Sequence, residues 1–161
     1  MRKVISIVVI LLLAIFGGSI AKAGEKMMEK AHIMLAPAEI KETKGTASLP
    51  PGSKIAVLEG DPKSTGPVTI RLKFPPNYTL APHTHGGDER VTVISGTLYF
   101  GIGEKMDKTR VKALPAGSFF LMPAGTAMFG FTKNEETIIQ LNVSGPWTVI
   151  YINSADDPRK K

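Results

Sequence analysis

The sequence contains no cysteine. It therefore has no disulfide framework, no thiol nucleophile and no lipid-modified cysteine to serve as an anchor, and other groups must hold its fold and carry its chemistry. Histidine is scarce: three residues in 161, namely His32, His83 and His85. Long apolar runs are missing as well. The longest, Val4–Phe16, spans thirteen residues, short of the roughly 20 that a membrane-spanning helix needs. There is no Gly-rich phosphate loop, no recognisable Ser-His-Asp arrangement, no internal repeat and no low-complexity segment. Lysine and arginine are scattered among acidic residues and form a run only at Arg159-Lys160-Lys161, which reads as a solvated end, so a nucleic-acid partner is excluded.

The N-terminus is present and informative. Arg2 and Lys3 precede the apolar run, Gly17-Gly18-Ser19 breaks it, and Ala21-Lys22-Ala23 supplies the small-x-small pattern of a cleavage site. Residues 1–23 are thus expected to be a signal peptide, with the mature chain starting at Gly24 and localised to the periplasm or secreted, free of the membrane after cleavage. Of the 20 basic residues, Arg2, Lys3 and Lys22 leave with that segment, so 17 face 14 acidic ones and the formal charge falls from +6 to +3. What remains is long enough for one domain with a substantial core and too short for two.

Residues 24–54 are weakly patterned, with breakers at Pro37, Gly45 and Leu49-Pro50-Pro51-Gly52, and read as an N-terminal arm that contains His32 as a surface or packing residue. From Ile55 short β-rich runs alternate with turn clusters. The expected strands are Lys54–Glu59, Pro67–Phe74, Thr79–His85, Glu89–Ser95, Thr97–Ile102, Arg110–Ala113, Ser118–Met122, Thr126–Thr132, Glu136–Val143 and Trp147–Asn153. Residues 55–153 form the expected barrel, and 154–161 a C-terminal tail. Met122-Pro123-Ala124-Gly125 fits a type I turn, and 103–108 a loop projecting from an edge. Apolar residues fall on both faces of several strands, as at Phe119-Phe120 and Leu98-Tyr99-Phe100. An antiparallel sheet with one face in water should not show this, so the outer surface is expected to be covered by the arm or by a second subunit.

The chemistry concentrates in His83-Thr84-His85-Gly86-Gly87-Asp88-Glu89. Side chains at i and i+2 of an extended chain leave the same face, so both imidazoles can converge, and Gly86-Gly87 allows the turn that returns Glu89 toward them. Two neutral imidazoles and one carboxylate make the facial triad used by divalent first-row metals. Asp88 alternates to the opposite face.

His83, His85, Glu89 and Gly96 stand at the spacing of the first motif of the cupin superfamily, which the chain resembles from about Ile55 to Ile152. Asn77 occupies the place of a family glycine, and Asn tolerates the same turn conformation. Gly117, Pro123 and Gly125 match the second motif, but Met128 stands where the family has a fourth ligand, a histidine. The resemblance is to a small exported single-domain cupin and implies an all-β jelly-roll barrel, one divalent metal ion (Mn, Fe, Zn, Ni or Cu) on His83, His85 and Glu89, a small-molecule ligand and a homodimer. A second His-x-His motif is absent, which excludes a bicupin. Met128 reads as core packing or as a thioether ligand suited to copper. Gln140 is a candidate replacement for the missing ligand, Asn142 a weaker one, and Tyr99 and Tyr151 are candidate general acids.

Three functions fit: metal-dependent chemistry on a small molecule, a non-catalytic sensor or binder of a small ligand or metal, and a degenerate metal-free barrel. The fold does not choose among them. Mass spectrometry of the chain purified from a host with an export pathway should find Gly24 at its N-terminus; Met1 retained in the membrane fraction would make residues 1–23 an anchor instead.

Overall fold

The structure is a computed structural model that describes residues 32–161. The expected signal peptide and the first residues of the expected arm lie outside the described residues, and among these no helix is long and apolar enough to cross a membrane. Eleven strands follow one another: β1 (Thr43–Lys44), β2 (Lys54–Glu59), β3 (Gly66–Phe74), β4 (Thr79–Thr84), β5 (Glu89–Ser95), β6 (Thr97–Ile102), β7 (Lys112–Pro115), β8 (Phe119–Met122), β9 (Met128–Phe131), β10 (Thr137–Gly145) and β11 (Ile150–Tyr151). Ten of them overlap the segments expected from alternation and turn residues. The short β1 was not foreseen, and the last strand is two residues long because 146–149 form a loop with other partners.

The strands form two antiparallel sheets, ordered β1-β2-β3-β10-β5-β8 and β11-β4-β9-β6-β7. The chain is an all-β jelly roll, and its two sheets are not closed into one continuous barrel. Alternation explains the core. On β10, Ile139, Leu141 and Val143 are buried while Asn142 is exposed; on β5, Glu89, Val91 and Val93 are buried while Arg90 and Ile94 are exposed. Ile70 and Phe74 of β3 and Leu98 of β6 complete a hydrocarbon interior.

The outer faces are partly covered from within the chain. Pro37, Ile40 and Glu42 border a cleft against Arg71, Lys73 and Ile138 on the first sheet, where Glu42 pairs with Lys73 at 2.7 Å and Lys54 at 3.5 Å. On the second sheet Tyr99 stacks on Phe131, and Phe129 borders a cleft formed by the 103–110 loop, with Lys108 Nζ 5.0 Å from the Phe131 ring. That loop folds over the sheet instead of projecting from its edge, because the aromatic surface there needs a cover. Ile94, Phe119 and Leu121 stay exposed on the first sheet near its β8 edge.

Segment 46–50 lies at one end of the sandwich. Leu49 is buried in the core, and two tyrosine hydroxyls hold the flanking backbone: Tyr78 donates to the Pro50 carbonyl at 2.6 Å and Tyr151 to the Ser48 carbonyl at 2.8 Å. Burial pushes both phenols up to about 12.

The motif glycines have backbone reasons. Asn77, in the place of a family glycine, has φ 59°, the left-handed conformation that Asn adopts more readily than other side chains. Gly96 has φ 71°, and a Cβ there would lie 2.3 Å from the Glu136 carbonyl oxygen and 2.8 Å from Thr137 Oγ1. Gly125 has φ 76°, and a Cβ there would meet no atom within 4 Å. Its turn differs from the expected type I: Thr126 N–H donates to the Pro123 carbonyl at 3.1 Å, which places Gly125 third, where a type II turn requires positive φ. Gly96→Ala should therefore cost about 2 to 4 kcal/mol, combining left-handed strain with a backbone clash. Gly125→Ala should cost about 1 to 2 kcal/mol, from strain alone. Urea unfolding of the two variants checks the difference, and equal costs would show that the space behind Gly96 can yield.

Candidate metal centre

His83 lies near the end of β4, His85 just beyond it, and Glu89 opens β5. All three are buried, at 5%, 6% and 4% exposure, and line one cavity of about 40 Å³ in the sandwich interior. The register of β4 against β9 shifts between Leu80 and His83. This irregularity lets Leu80 and His83 both line the cavity although strict alternation would send them to opposite faces, and Ala81 within it offers a carbonyl to His83.

Each imidazole is oriented by a backbone carbonyl. His83 Nδ1 lies 2.7 Å from the Ala81 oxygen and His85 Nδ1 2.6 Å from the Thr148 oxygen. A carbonyl only accepts, so Nδ1 carries the proton in both rings and Nε2 is the bare nitrogen. The rings stand edge to face, 4.9 Å between centroids.

Glu89 has two distinct oxygens. Oε1 accepts from the Trp147 indole N–H at 2.6 Å, and Oε2 lies 3.3 Å from His85 Nε2. Trp147 also stacks on His85, at 6.2 Å and 14° between the ring planes. Burial raises the Glu89 carboxyl to about 7, lowers His83 to about 4, with the neighbouring His85 adding to the effect, and lowers His85 as well. The His85–Glu89 contact is therefore not an ion pair. Below about pH 7, where Glu89 is mainly protonated, Oε2 can donate to the bare Nε2 as one neutral group to another.

Gln140 is not part of the centre, and its expectation as a replacement ligand is corrected. It shares the outward phase of Ile138 and Asn142, and its Oε1 accepts from Arg71 Nε at 3.0 Å on the outer face. Asn142 is exposed and donates to Thr69. Tyr99, stacked on Phe131 and approached by Lys133, also lies on an outer face, away from the cavity. Tyr151 is nearer, its ring 6.0 Å from that of His83, but its hydroxyl is engaged by Ser48. His32 is exposed. Met128 is 2% exposed, lines the cavity and pairs in register with His83 across β4 and β9. Asp88 is exposed and accepts from the Ala124 N–H at 3.0 Å, bracing the Pro123 turn, which is also tied to the His85 carbonyl by the Gly125 N–H.

Trp147 was missed as a site residue. Its signal in the sequence was weak but real: a lone tryptophan following Gly145-Pro146, in a segment too broken by turn residues to be all strand.

A family described as a domain of unknown function, DUF4437, matches residues 42–158. The chain belongs to it. Its fold is the one that cupins have, as the solved structures below show. The chain is 32% identical over 75 residues to germin-like protein 9-2 of Oryza sativa subsp. japonica, a match covering 46% of this chain and 35% of that protein, so it spans about a third of that curated relative. The polyketide cyclase RemF of Streptomyces resistomycificus superposes with a TM-score of 0.64 at 14% identity, over 81% of this chain and 92% of the other. An RmlC-like cupin of Shewanella frigidimarina gives 0.54 at 13% identity, over 71% and 91%. At these identities the solved structures speak to the fold alone.

Among the described residues, no group of three or more His, Asp or Glu side chains is arranged so that it could hold a metal ion as it stands. The donor set nonetheless fits an ion chemically. Two bare Nε2 atoms and a carboxylate oxygen line one cavity, and the 3.3 Å between His85 Nε2 and Glu89 Oε2 is a separation that two donors about 2.1 Å from one ion can have. If the three donors hold an ion, Met128→His in this DUF4437 chain should tighten Zn²⁺ or Mn²⁺ binding by about tenfold or more, because an imidazole serves borderline ions better than a thioether. Gln140→Ala should leave that affinity unchanged. Isothermal titration separates the two, and a Gln140 effect equal to the Met128 effect would contradict the outward placement.

Proposed function

We propose that this cupin holds one divalent first-row metal ion through Nε2 of His83, Nε2 of His85 and Oε2 of Glu89, and offers it to a very small ligand. The observation that carries the reading is the pair of Nδ1–carbonyl contacts, at 2.7 and 2.6 Å, which fixes both rings in the tautomer a metal requires. When bound, the ion would supply Lewis acidity and a coordinated water. The chain's own part is to orient the donors, take up or release the Glu89 proton and exclude bulk water.

Cavity size limits the ligand. About 40 Å³ is room for about three water-sized groups, whereas pockets for drug-sized molecules run to roughly 300 to 1,000 Å³. The polar side chains in its wall are His83, His85, Glu89 and Trp147, with no lysine or arginine among them. A ligand reaching the ion in this conformation has a few non-hydrogen atoms, and any negative charge it carries is met by the ion alone. A polyketide of the kind named for the RemF neighbour is too large for the cavity. The reading also places the chain outside the cytoplasm, supported by Arg2-Lys3, the Val4–Phe16 run and Ala21-Lys22-Ala23.

One observation favours a second reading, a metal-free barrel: Glu89 Oε2 lies 3.3 Å from His85 Nε2, where a protonated carboxyl can satisfy both without an ion. Proton release distinguishes the two. Glu89 is raised to about 7 by burial, while His83 is lowered to about 4 and His85 is also lowered, so at pH 6 the carboxyl is mainly protonated and His83 mainly neutral. Metal uptake must then displace about one proton at pH 6 and close to none at pH 8.5, and affinity should fall by up to tenfold per unit as pH drops below 7. Calorimetry in buffers of different ionisation enthalpy counts the proton. Uptake without proton release at pH 6, or an unchanged count in Glu89→Gln, would remove Glu89 from the ligand set; no uptake at all would leave the metal-free barrel.

A further inference from the structure

Segment 146–149 lies far from the His-x-His motif in sequence but touches two of its three donors. The Thr148 carbonyl accepts from His85 Nδ1 at 2.6 Å, and Thr148 Oγ1 accepts from the Gly86 N–H at 3.2 Å, inside the turn between His85 and Glu89. Trp147 Nε1 donates to Glu89 Oε1 at 2.6 Å. The segment is itself anchored at both ends. Trp147 N–H donates to the Pro62 carbonyl at 2.8 Å, and Arg159 Nη2 donates to the Val149 carbonyl at 3.0 Å while the same guanidinium grips the Asp157 carboxylate at 2.8 Å through two nitrogens.

From this geometry we infer that Trp147 is the positioning residue of the centre: its indole N–H occupies Glu89 Oε1 so that the carboxylate meets the ion through Oε2 alone, and its ring holds His85 in place. The inference rests on the metal reading of the same site. A carboxylate free at both oxygens can close on an ion in bidentate fashion and fill a coordination position. Closing on the ion through Oε1 as well would strain a short, part-buried hydrogen bond, so the position stays available to water or ligand. The indole is suited to this because it offers a donor and no acceptor, so it cannot compete for the ion, and its ring covers the imidazole face that would otherwise meet water. Asp157 and Arg159 latch the segment from the far side. The C-terminal run expected to be solvated therefore contributes one residue, Arg159, to the support of the centre.

Trp147 is the single tryptophan of the chain, so its fluorescence reports on this site without ambiguity. The test titrates the mature chain with Co²⁺, following tryptophan emission, calorimetric affinity and the visible d–d spectrum, in the wild type and in Trp147→Phe, which keeps an aromatic ring against His85 and deletes the N–H. In the wild type one equivalent of Co²⁺ should quench most of the emission. Trp147→Phe should bind Co²⁺ about 10- to 100-fold more weakly, the usual cost of losing an outer-shell partner. Its d–d bands should also change in intensity, because a carboxylate free to turn alters coordination number. A merely structural tryptophan would not move that spectrum. Equal affinity and an unchanged spectrum in Trp147→Phe overturn the proposal and leave the metal site standing. Should the variant not fold, wild-type emission that is indifferent to a Co²⁺ ion bound by calorimetry overturns it as well. A wild type that takes up no Co²⁺ removes the metal reading and this proposal together.

Discussion

Three ionisable side chains sit in a hydrocarbon interior, and their burial is the constraint from which the rest of the centre follows. A buried polar group without a partner costs about 1 to 3 kcal/mol, and a charged one more. The chain meets this in two ways. It removes the charge, raising Glu89 and lowering both imidazoles, and it gives each group a fixed partner, so that among the described residues no buried side-chain nitrogen or oxygen lacks one. Each partner in turn requires something of the backbone. The Ala81 carbonyl depends on the irregular register of β4, and the Thr148 carbonyl and Trp147 depend on a loop that interrupts the last strand.

The first motif was legible because it is local. Period-two alternation puts His83 and His85 on one side, and the Gly86-Gly87 turn returns Glu89 to the same cavity, so a short stretch of sequence specifies three side chains. The turn glycines were legible for the same reason, as was the tolerance of Asn77 for positive φ. What could not be read is what arrives from far along the chain. Trp147 lies 58 residues from Glu89, and nothing in local periodicity says that a loop tryptophan will reach a carboxylate. Gln140 is a different case. Its strand carries Ile139, Leu141 and Val143 in one phase and Gln140 and Asn142 in the other, so the polar phase was visible, but the adjacent Ile138 and Ile139, with a register shift between them, blurred it. The coverage of the outer faces was expected to come from the arm or from a partner. Residues 37–42 border one face, and the 103–110 loop, which its polar composition made look like a projection, borders the other.

Met128 is where this chain departs from the cupin motif it otherwise resembles, and its surroundings say what the residue does there. It is fully buried, lies opposite His83 across β4 and β9, and shares the cavity wall with Leu98, Phe120 and Leu141. A histidine there would need a partner for its second nitrogen, as His83 and His85 each have. A thioether needs none and packs as hydrocarbon. The substitution thus makes one side of the cavity continuous with the core and confines polar chemistry to the side built by β4, β5 and the 146–149 loop.

Access to this centre is tied to the stability of two segments. Leu49 closes the cavity from the segment held by Tyr78 and Tyr151, and Trp147 closes it from the segment held by Pro62 and Arg159. The two closures are linked, because Tyr151, whose hydroxyl binds the Ser48 carbonyl, pairs in register with His83 and follows the 146–149 loop by two residues. Moving the first segment breaks hydrogen bonds from two buried tyrosines and moving the second breaks the one from buried His85 to the Thr148 carbonyl, so neither opens without cost. A ligand small enough to enter the closed cavity avoids that cost entirely, whereas a larger one must offset it with its own contacts. The way the two segments are fastened therefore sets the size of what the cavity can admit.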